Sequence, residues 1–80
     1  MHVAVELSLY PLTDQFVPPI LDFIGRLRAR PDLSVVTNSM STQVSGEFDA
    51  VFEALGAEMR RTFEGDRRAV FVIKVLGGGN

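Results

Sequence analysis

Two runs of hydrogen-bonding side chains give this chain of 80 residues its richest supply of ligand-binding chemistry. The first run contains Tyr10 and Asp14, and the second contains Thr37, Ser41 and Thr42. Hydroxyl groups both donate and accept hydrogen bonds, as the edge of an uncharged heterocycle requires. If the fold brings the two runs together, they predict a binding site for a small molecule.

The side chains that usually carry out catalysis are scarce in this sequence. The single histidine, His2, is close to the terminus, there is no cysteine, and no serine has an imidazole base at a recognisable motif spacing. Glu6 is predicted to face away from the helices, and Asp14 and Glu47 lie near strand and helix ends, so a carboxylate pair is conceivable, but solvated surface acids are the more ordinary interpretation. Neither a metal-ligand cluster nor a phosphate-binding glycine motif is apparent. We therefore predict a protein that is not an enzyme and needs no cofactor and no metal.

Composition limits the partners and the location. Eight basic residues against ten acidic ones give a formal charge of -2, which provides no field that attracts nucleic acid or anionic lipid. The predicted third strand also lacks the aromatic and basic side chains that RNA-recognition modules use. No uncharged segment is long enough to cross a bilayer. We expect a cytoplasmic protein with no nucleic-acid and no membrane partner.

Hydrophobic periodicity predicts the elements that must position the two runs. Apolar residues alternate over residues 3–9, which indicates a half-buried strand, and Pro11 ends its ladder. A helix with Thr13 or Asp14 as its N-cap follows and stops before Pro31. Strands are then predicted over residues 33–37, 42–47 and 69–76, and a second helix over residues 48–63.

The second helix is predicted to bury one stripe and to leave the opposite side in solvent. The buried stripe consists of Phe48, Val51, Phe52, Leu55, Met59 and Phe63. The solvent side consists of Asp49, Glu53, Glu58, Arg60 and Arg61. Before this helix, Gly46 is predicted to mark a bulge or a close approach of backbone.

The order strand, helix, strand, strand, helix, strand predicts an α+β domain of the ferredoxin-like βαββαβ type. Its four-stranded antiparallel sheet would carry both helices on one face. We expect one domain over residues 1–76, with a turn at residues 64–66 and a disordered tail over residues 77–80.

The fourth strand of such a domain lies at a sheet edge, and here it is apolar on both faces apart from Lys74. Its second apolar face needs a partner, whether that face holds Val70 and Val72 or the set Phe71, Ile73 and Val75. The chain also lacks disulfides to support a thin core. We therefore predict a homodimer or a higher homo-oligomer that associates through sheet faces or sheet edges.

Residues 8–16 resemble the stretch that opens each repeat of the YkoF-type thiamine- and hydroxymethylpyrimidine-binding proteins. In that family Tyr-Pro is followed by an aliphatic residue, a hydroxyl residue, Asp, a polar residue and Phe, as in residues 10–16 here. The likeness continues in order and spacing at residues 37–46, 51–52 and 69–71, so it covers nearly the whole chain. YkoF-type chains join two repeats, whereas this chain holds one, and a homodimer would rebuild the pair.

The resemblance implies a ferredoxin-like fold that associates through its sheets, no catalytic activity, and binding of thiamine or its hydroxymethylpyrimidine part in salvage or transport. The ligand-binding residues that it carries over are Tyr10, Asp14, Thr37, Ser41 and Thr42. Ser41 and Thr42 would hydrogen-bond the aminopyrimidine, and Asp14 would lie near its amino group or near the thiazolium. Tyr10 or Phe16 would cover the ring.

Two alternatives stay open at this point: a ligand-free oligomerisation module with the same fold, and a sensor of another small metabolite. Serines and threonines are also ordinary in turns and on exposed sheet faces, where they bond to nearby backbone. The deciding feature is the second run. Binding is favoured if Thr37, Ser41 and Thr42 line a cavity, and the oligomerisation module is favoured if they bond only to backbone or lie in an interface.

Overall fold

The computed structural model describes residues 1–65 and 68–78, and its elements follow the predicted order. They are β1 (His2–Pro11), α1 (Val17–Arg28), β2 (Ser34–Thr37), β3 (Thr42–Glu47), α2 (Phe48–Glu64) and β4 (Ala69–Gly77). The strands form one antiparallel sheet in the order β2-β3-β1-β4, and both helices cover one face of it. The predicted ferredoxin-like βαββαβ fold is confirmed.

β1 lies in the middle of the sheet and sets its two faces. Val5 pairs with Val44 of β3 on one side and with Val75 of β4 on the other. The odd-numbered residues from 3 to 9 point to the helices and are buried, as the alternation predicted. The even-numbered residues point the other way, to a face that we call the outer face; there Glu6 lies opposite Lys74.

The core lies between the inner face of the sheet and the two helices. Its buried hydrophobic residues are Val3, Val5, Leu7, Leu9, Phe23, Leu27, Val44, Val51, Ala54 and Leu55. Phe71 of β4 packs against this core, with its ring centroid 5.0 Å from that of Phe23. Val70 and Val72 are therefore the outer, exposed residues of β4, and the first of the two predicted alternatives is correct.

The start of α1 differs from the prediction. Neither Thr13 nor Asp14 caps the helix, because the N-cap position is Phe16, and among the described residues no side chain makes a capping hydrogen bond there. β1 continues through Pro11, and the Leu12 N–H donates to the Arg68 carbonyl at 2.8 Å. The chain then needs the following residues to cross from the sheet to the helix layer, so the helix begins later.

One predicted solvent residue of α2 is buried. Glu58 is 4% exposed, and its carboxylate accepts hydrogen bonds from Arg26 Nε at 2.7 Å and from Arg30 Nη2 at 3.0 Å. These arginines belong to α1 and to the segment after it, so α2 faces its neighbouring helix at Glu58, while Asp49, Glu53, Arg60 and Arg61 are exposed as predicted. The pairing with arginine is what allows a carboxylate to be buried there.

Three phenylalanines of the predicted buried stripe are instead partly exposed: Phe48, Phe52 and Phe63. Phe48 and Phe52 contact each other, with ring centroids 4.7 Å apart. Phe63 makes an edge contact with Phe71, at 5.5 Å between centroids. The aromatic rings at both ends of α2 thus cover the margin of the core and leave its centre to Val51, Ala54 and Leu55.

Gly46 marks the predicted close approach of backbone. A Cβ atom there would lie 3.2 Å from the Asp32 carbonyl oxygen and 3.3 Å from Leu33 Cδ2, so a larger residue would push the turn before β2 away from β3.

β4 continues to Gly77, one residue beyond its predicted end. Asp66 of the predicted turn and residues 79–80 of the predicted tail lie outside the described residues. Within the described ranges, neither helix is long and apolar enough to cross a membrane.

Candidate ligand-binding groove

The sheet has a notch at one end, because β1 continues further beside β4 than beside β3. The last pair between β1 and β3 is Leu7 with Thr42, whereas β1 pairs with β4 as far as Pro11 and Ala69. Residues 8–11 therefore have no β3 neighbour. The loop of residues 38–41, which joins β2 to β3, lies at this end, and we call the gap between it and β1 the notch.

A groove opens on the helix side of the notch, with a volume of about 190 Å³. Its apolar wall is formed by β1 and by one side of α1, through Leu7, Leu9, Ile20, Phe23 and Ile24. Its polar rim is formed by the ends of β2 and β3 and the loop between them, through Thr37, Asn38, Ser39, Ser41 and Thr42. An apolar wall with a few converging polar groups is the usual composition of a small-molecule site.

Asn38 holds the loop of the rim in place. Its Oδ1 accepts the backbone N–H of Met40 at 2.8 Å and that of Ser41 at 2.9 Å, and its own N–H donates to the Ser41 carbonyl at 3.0 Å. This is the turn-forming role for which asparagine is favoured. The shape of the rim is therefore held by hydrogen bonds within the loop itself.

The hydroxyls of Thr37 and Thr42 meet across the β2–β3 pair. The two residues are cross-strand partners, and their Oγ1 atoms are 3.1 Å apart. Each hydroxyl has one proton and two lone pairs, so a bond between them leaves one donor and further acceptor capacity. The pair can therefore offer both a donor and an acceptor to a ligand in the groove.

Backbone groups of Leu9 also point into the notch. The Leu12 N–H bonds toward β4, whereas the Met1 carbonyl accepts the Phe48 N–H on the β3 side. The backbone groups of successive residues in a strand point alternately to its two neighbouring strands. Leu9 is an even number of residues from Met1, so its N–H and C=O also point to the β3 side. At that position β3 has not yet begun, so the notch gains one further N–H and one further C=O.

Ser41 links the rim to the outer face of the sheet. Its hydroxyl donates to Glu6 Oε2 at 3.2 Å, and Glu6 Oε1 lies 3.7 Å from Lys74 Nζ. A second depression of about 230 Å³, which we call the outer pocket, lies there. It shares Ser8, Tyr10, Met40 and Ser41 with the groove. The two cavities are therefore neighbours on opposite sides of the notch.

The structure brings four of the five predicted site residues to the groove: Tyr10, Thr37, Ser41 and Thr42. Asp14 is not among the lining residues; it is exposed in the bend before α1. Phe16, which we considered as a cover for the ring, is also exposed and does not line the groove. The delayed start of α1 accounts for both, because it leaves residues 13–16 outside the helix layer.

Sequence reasoning missed two groups that belong to the site. One is the wall from α1, Ile20 and Ile24, for which no ligand contact was predicted. The other is Glu6, which was correctly placed on the outer face but treated as a surface acid. The link between Glu6 and Ser41 depends on where the loop crosses β1, and no local pattern carries that information. Asn38 followed by small hydroxyl residues was a usable turn signal for the rim.

The buried Glu58 forms a second polar cluster, away from the groove and between the helices. Burial disfavours the charged carboxylate and by itself would raise the pKa of Glu58. Hydrogen bonds from Arg30 and Arg26, and the charges of Arg61 and Arg30, outweigh this effect, and the pKa is lowered. Arg26 also donates to Thr62 Oγ1 at 2.8 Å. The cluster joins α1 to α2 and is structural.

Several solved structures share this fold at low sequence identity. Protein SP2199 of Streptococcus pneumoniae matches with a TM-score of 0.89 at 21% identity, over 99% of this chain and 89% of its own. Protein MJ1052 of Methanocaldococcus jannaschii gives 0.84 at 23%, over 99% and 82%. TM0486 of Thermotoga maritima, a candidate thiamine biosynthesis/salvage protein, gives 0.83 at 17%, over 94% and 82%. These similarities establish the fold.

The family is established by sequence. No curated protein sequence matches the chain. The sequence profile of the YKOF-related family, however, matches residues 2–73, which include every strand and helix except the end of β4. The chain therefore belongs to the YKOF-related family.

Proposed function

We propose that this protein binds thiamine or its hydroxymethylpyrimidine part in the groove, in the cytoplasm, and performs no reaction on it. The observation that carries the proposal is the hydroxyl-rich rim of Thr37, Ser41 and Thr42, facing an apolar wall in one groove. Membership of the YKOF-related family supports this ligand class, and so does the role assigned to the Thermotoga protein of the same fold.

The size of the groove favours one ring over two. Its volume of about 190 Å³ is smaller than the roughly 300–1,000 Å³ of sites for drug-sized ligands. A single aminopyrimidine would have its ring against Ile20 and Ile24 and its polar edge toward the rim. The Thr37 and Thr42 hydroxyls and the backbone groups of Leu9 offer the donors and acceptors that this edge needs.

Binding without catalysis agrees with the chemistry of the lining. Among the described residues that line the groove, none is a histidine, cysteine, lysine or carboxylate. A general base would have to come from elsewhere. Hydroxyls and amides recognise a ring but do not move its protons at neutral pH, so the groove is suited to carrying a ligand unchanged.

Calorimetric titration with thiamine, hydroxymethylpyrimidine and a panel of amino acids tests the proposal. We expect heat with thiamine, with the pyrimidine or with both, and none with the amino acids. If neither thiamine nor the pyrimidine gives heat at millimolar concentration, the proposed function is wrong. Heat only with an amino acid would support the alternative of a sensor for another metabolite.

We further propose that the protein forms a homodimer or higher homo-oligomer through the outer face of the sheet. Val70, Val72 and Leu76 are all exposed there, on a strand whose far edge has no neighbour among the strands of residues 1–65 and 68–78. A second copy is the occupant that this face suits, because Glu6 and Lys74 place both signs of charge side by side on it. Sedimentation tests this directly, and a clean 8.8 kDa monomer at micromolar concentration would contradict it.

A further inference from the structure

The notch leaves the groove open toward charged side chains on the outer face. The residues that line the outer pocket and not the groove are Glu6, Val72 and Lys74. Glu6 is the one carboxylate among the described residues lining either cavity. A ligand with its first ring in the groove and a second group in the notch would bring that group toward Glu6.

One oxygen of the Glu6 carboxylate accepts a hydrogen bond from Ser41, and the other forms only an exposed ion pair with Lys74. Its Oε2 accepts the hydrogen bond of Ser41 at 3.2 Å, which fixes the carboxylate beside the rim. Its Oε1 lies 3.7 Å from Lys74 Nζ, in a pair whose side chains are 45% and 79% exposed. Ion pairs as exposed as this one contribute little, so Lys74 can be displaced by another cation.

We propose that Glu6 is the counter-charge by which this site prefers a ligand with a permanent cationic group attached to the ring that enters the groove. The inference rests on the proposed function and refines it, because thiamine carries such a cation in its thiazolium and hydroxymethylpyrimidine does not. Tyr10 borders both cavities, so its ring face can add a cation–π contact to the same group.

Lys74 has the opposite effect in this arrangement. Its ammonium group forms an ion pair with the Glu6 carboxylate, and the positive charge of that ammonium group repels a cation that enters the outer pocket. Removal of the lysine charge should therefore strengthen the binding of a cationic ligand and leave the affinity for an uncharged one unchanged. Ser41 connects the two parts of the site, because its proton goes to Glu6 while its lone pairs remain available to the amino group of a ring in the groove.

The test is a set of calorimetric titrations at neutral pH with thiamine and with hydroxymethylpyrimidine. Glu6→Gln keeps an oxygen for Ser41 but removes the charge, and we expect roughly fivefold weaker thiamine binding, with less than about twofold change for the pyrimidine. Lys74→Gln should tighten thiamine binding and leave the pyrimidine unchanged. Both effects should shrink at high salt.

Asp14→Asn is the matched control, since it also neutralises an exposed carboxylate but lies outside both cavities. It should leave both ligands unaffected. Equal losses for both ligands in Glu6→Gln would show that Glu6 acts only by holding Ser41, and no loss for either would show that it does not act at all; both results overturn the inference. A thiamine-specific loss in Asp14→Asn instead would also overturn it.

The same titrations separate this inference from the function on which it rests. If the unaltered protein binds both ligands and the variants show no charge dependence, the proposed function stands and the counter-charge is wrong. If the unaltered protein binds neither ligand, the proposed function fails and the inference fails with it. Thermal unfolding of each variant confirms that it is folded before the affinities are compared.

Discussion

The hydroxyl of Thr42 is the most enclosed polar group of the groove. The residue is only 5% exposed, and its Oγ1 is 3.1 Å from that of Thr37. A hydroxyl in this position has few partners besides its neighbour and a ligand. Ser41 and Tyr10 are more exposed and can exchange their hydrogen bonds with water, so the loss of either should have a smaller effect on the rim itself.

Thr42→Val tests the role of this hydroxyl, because the substitution keeps the shape of the side chain and removes its hydrogen bond. We expect affinity for the pyrimidine ring to fall about fivefold, which corresponds to about 1 kcal/mol for one neutral hydrogen bond. Thr13→Val, outside the groove, should have no effect on affinity. Calorimetry checks both, and an unchanged affinity in Thr42→Val would remove Thr42 from the proposed site.

The two helices are joined by a charged contact as well as by the core. Glu58 of α2 accepts hydrogen bonds from Arg26 and Arg30, and Arg26 also donates to the Glu58 carbonyl at 3.2 Å. α1 supplies one wall of the groove through its other side, at Ile20 and Ile24. The Glu58 cluster therefore fixes the position of the helix on which the width of the groove depends.

Stability should fall in acid because of Glu58. Its pKa is lowered in the folded state, whereas in the unfolded chain it returns to about 4.3. Its contribution is therefore fully present above about pH 5 and is lost as the pH falls through the lower, folded-state pKa. Denaturant unfolding at a series of pH values should show this decline, and Glu58→Gln should remove part of it.

At neutral pH, Glu58→Gln should lower the free energy of unfolding by roughly 1–3 kcal/mol. This is below the roughly 3–5 kcal/mol of a fully buried pair, because the arginine side chains keep 25% and 29% of their surface exposed. Glu53→Gln is the control, since Glu53 pairs with Arg30 at 3.6 Å but is 81% exposed, and it should change stability very little. An effect of Glu58→Gln that is as large in acid as at neutral pH would contradict the assignment.

Elements were predictable from the sequence where the pattern was local. The alternation in β1 and the apolar spacing of α2 gave the correct types and nearly the correct bounds. The burial of Glu58 was not predictable in this way, since it depends on the approach of a helix 32 residues earlier in the chain. Pro11 is the last residue of β1, as predicted, but the N-cap was misplaced because the chain then takes several residues to reach the helix layer.

In the candidate site, too, features set by local sequence were predictable and features set by contacts between distant elements were not. The hydroxyl residues were recognisable by type, and the turn at Asn38 by its local chemistry. Neither the wall from α1 nor the contact between Ser41 and Glu6 could be inferred, because the first depends on how α1 packs on the sheet and the second on the pairing of β1 with β3, which lies far from it in sequence. Asp14 shows the converse, since it matched a family motif and yet lies outside the groove.

At the scale of the whole molecule, the two faces of the sheet have different tasks. The inner face builds the core with α1 and α2, and the outer face presents β4 side chains such as Val70 and Val72 beside polar residues of β1. A domain of 80 residues with no disulfide gains stability when such a face is covered. Self-association would thus stabilise the fold as well as pair the sites.

Val72→Lys tests this association. Val72 is 49% exposed and lies opposite Ser8 on the outer face, so a charge there should disrupt packing with a second copy while leaving the core intact. Sedimentation should show a shift from oligomer to monomer. Leu21→Lys, which alters an exposed apolar residue of α1, should keep the oligomer. If the two variants sediment alike, the outer face is not the interface.

The notch has a kinetic consequence when these parts are taken together. It opens the groove onto the same face on which we propose that two copies meet. A second copy over the outer pocket would lengthen the residence time of a bound ligand, because escape through that side would require the subunits to part. Ligand and subunit association would then be thermodynamically linked, each strengthening the other. The dissociation rate of the ligand would fall as the protein concentration rises.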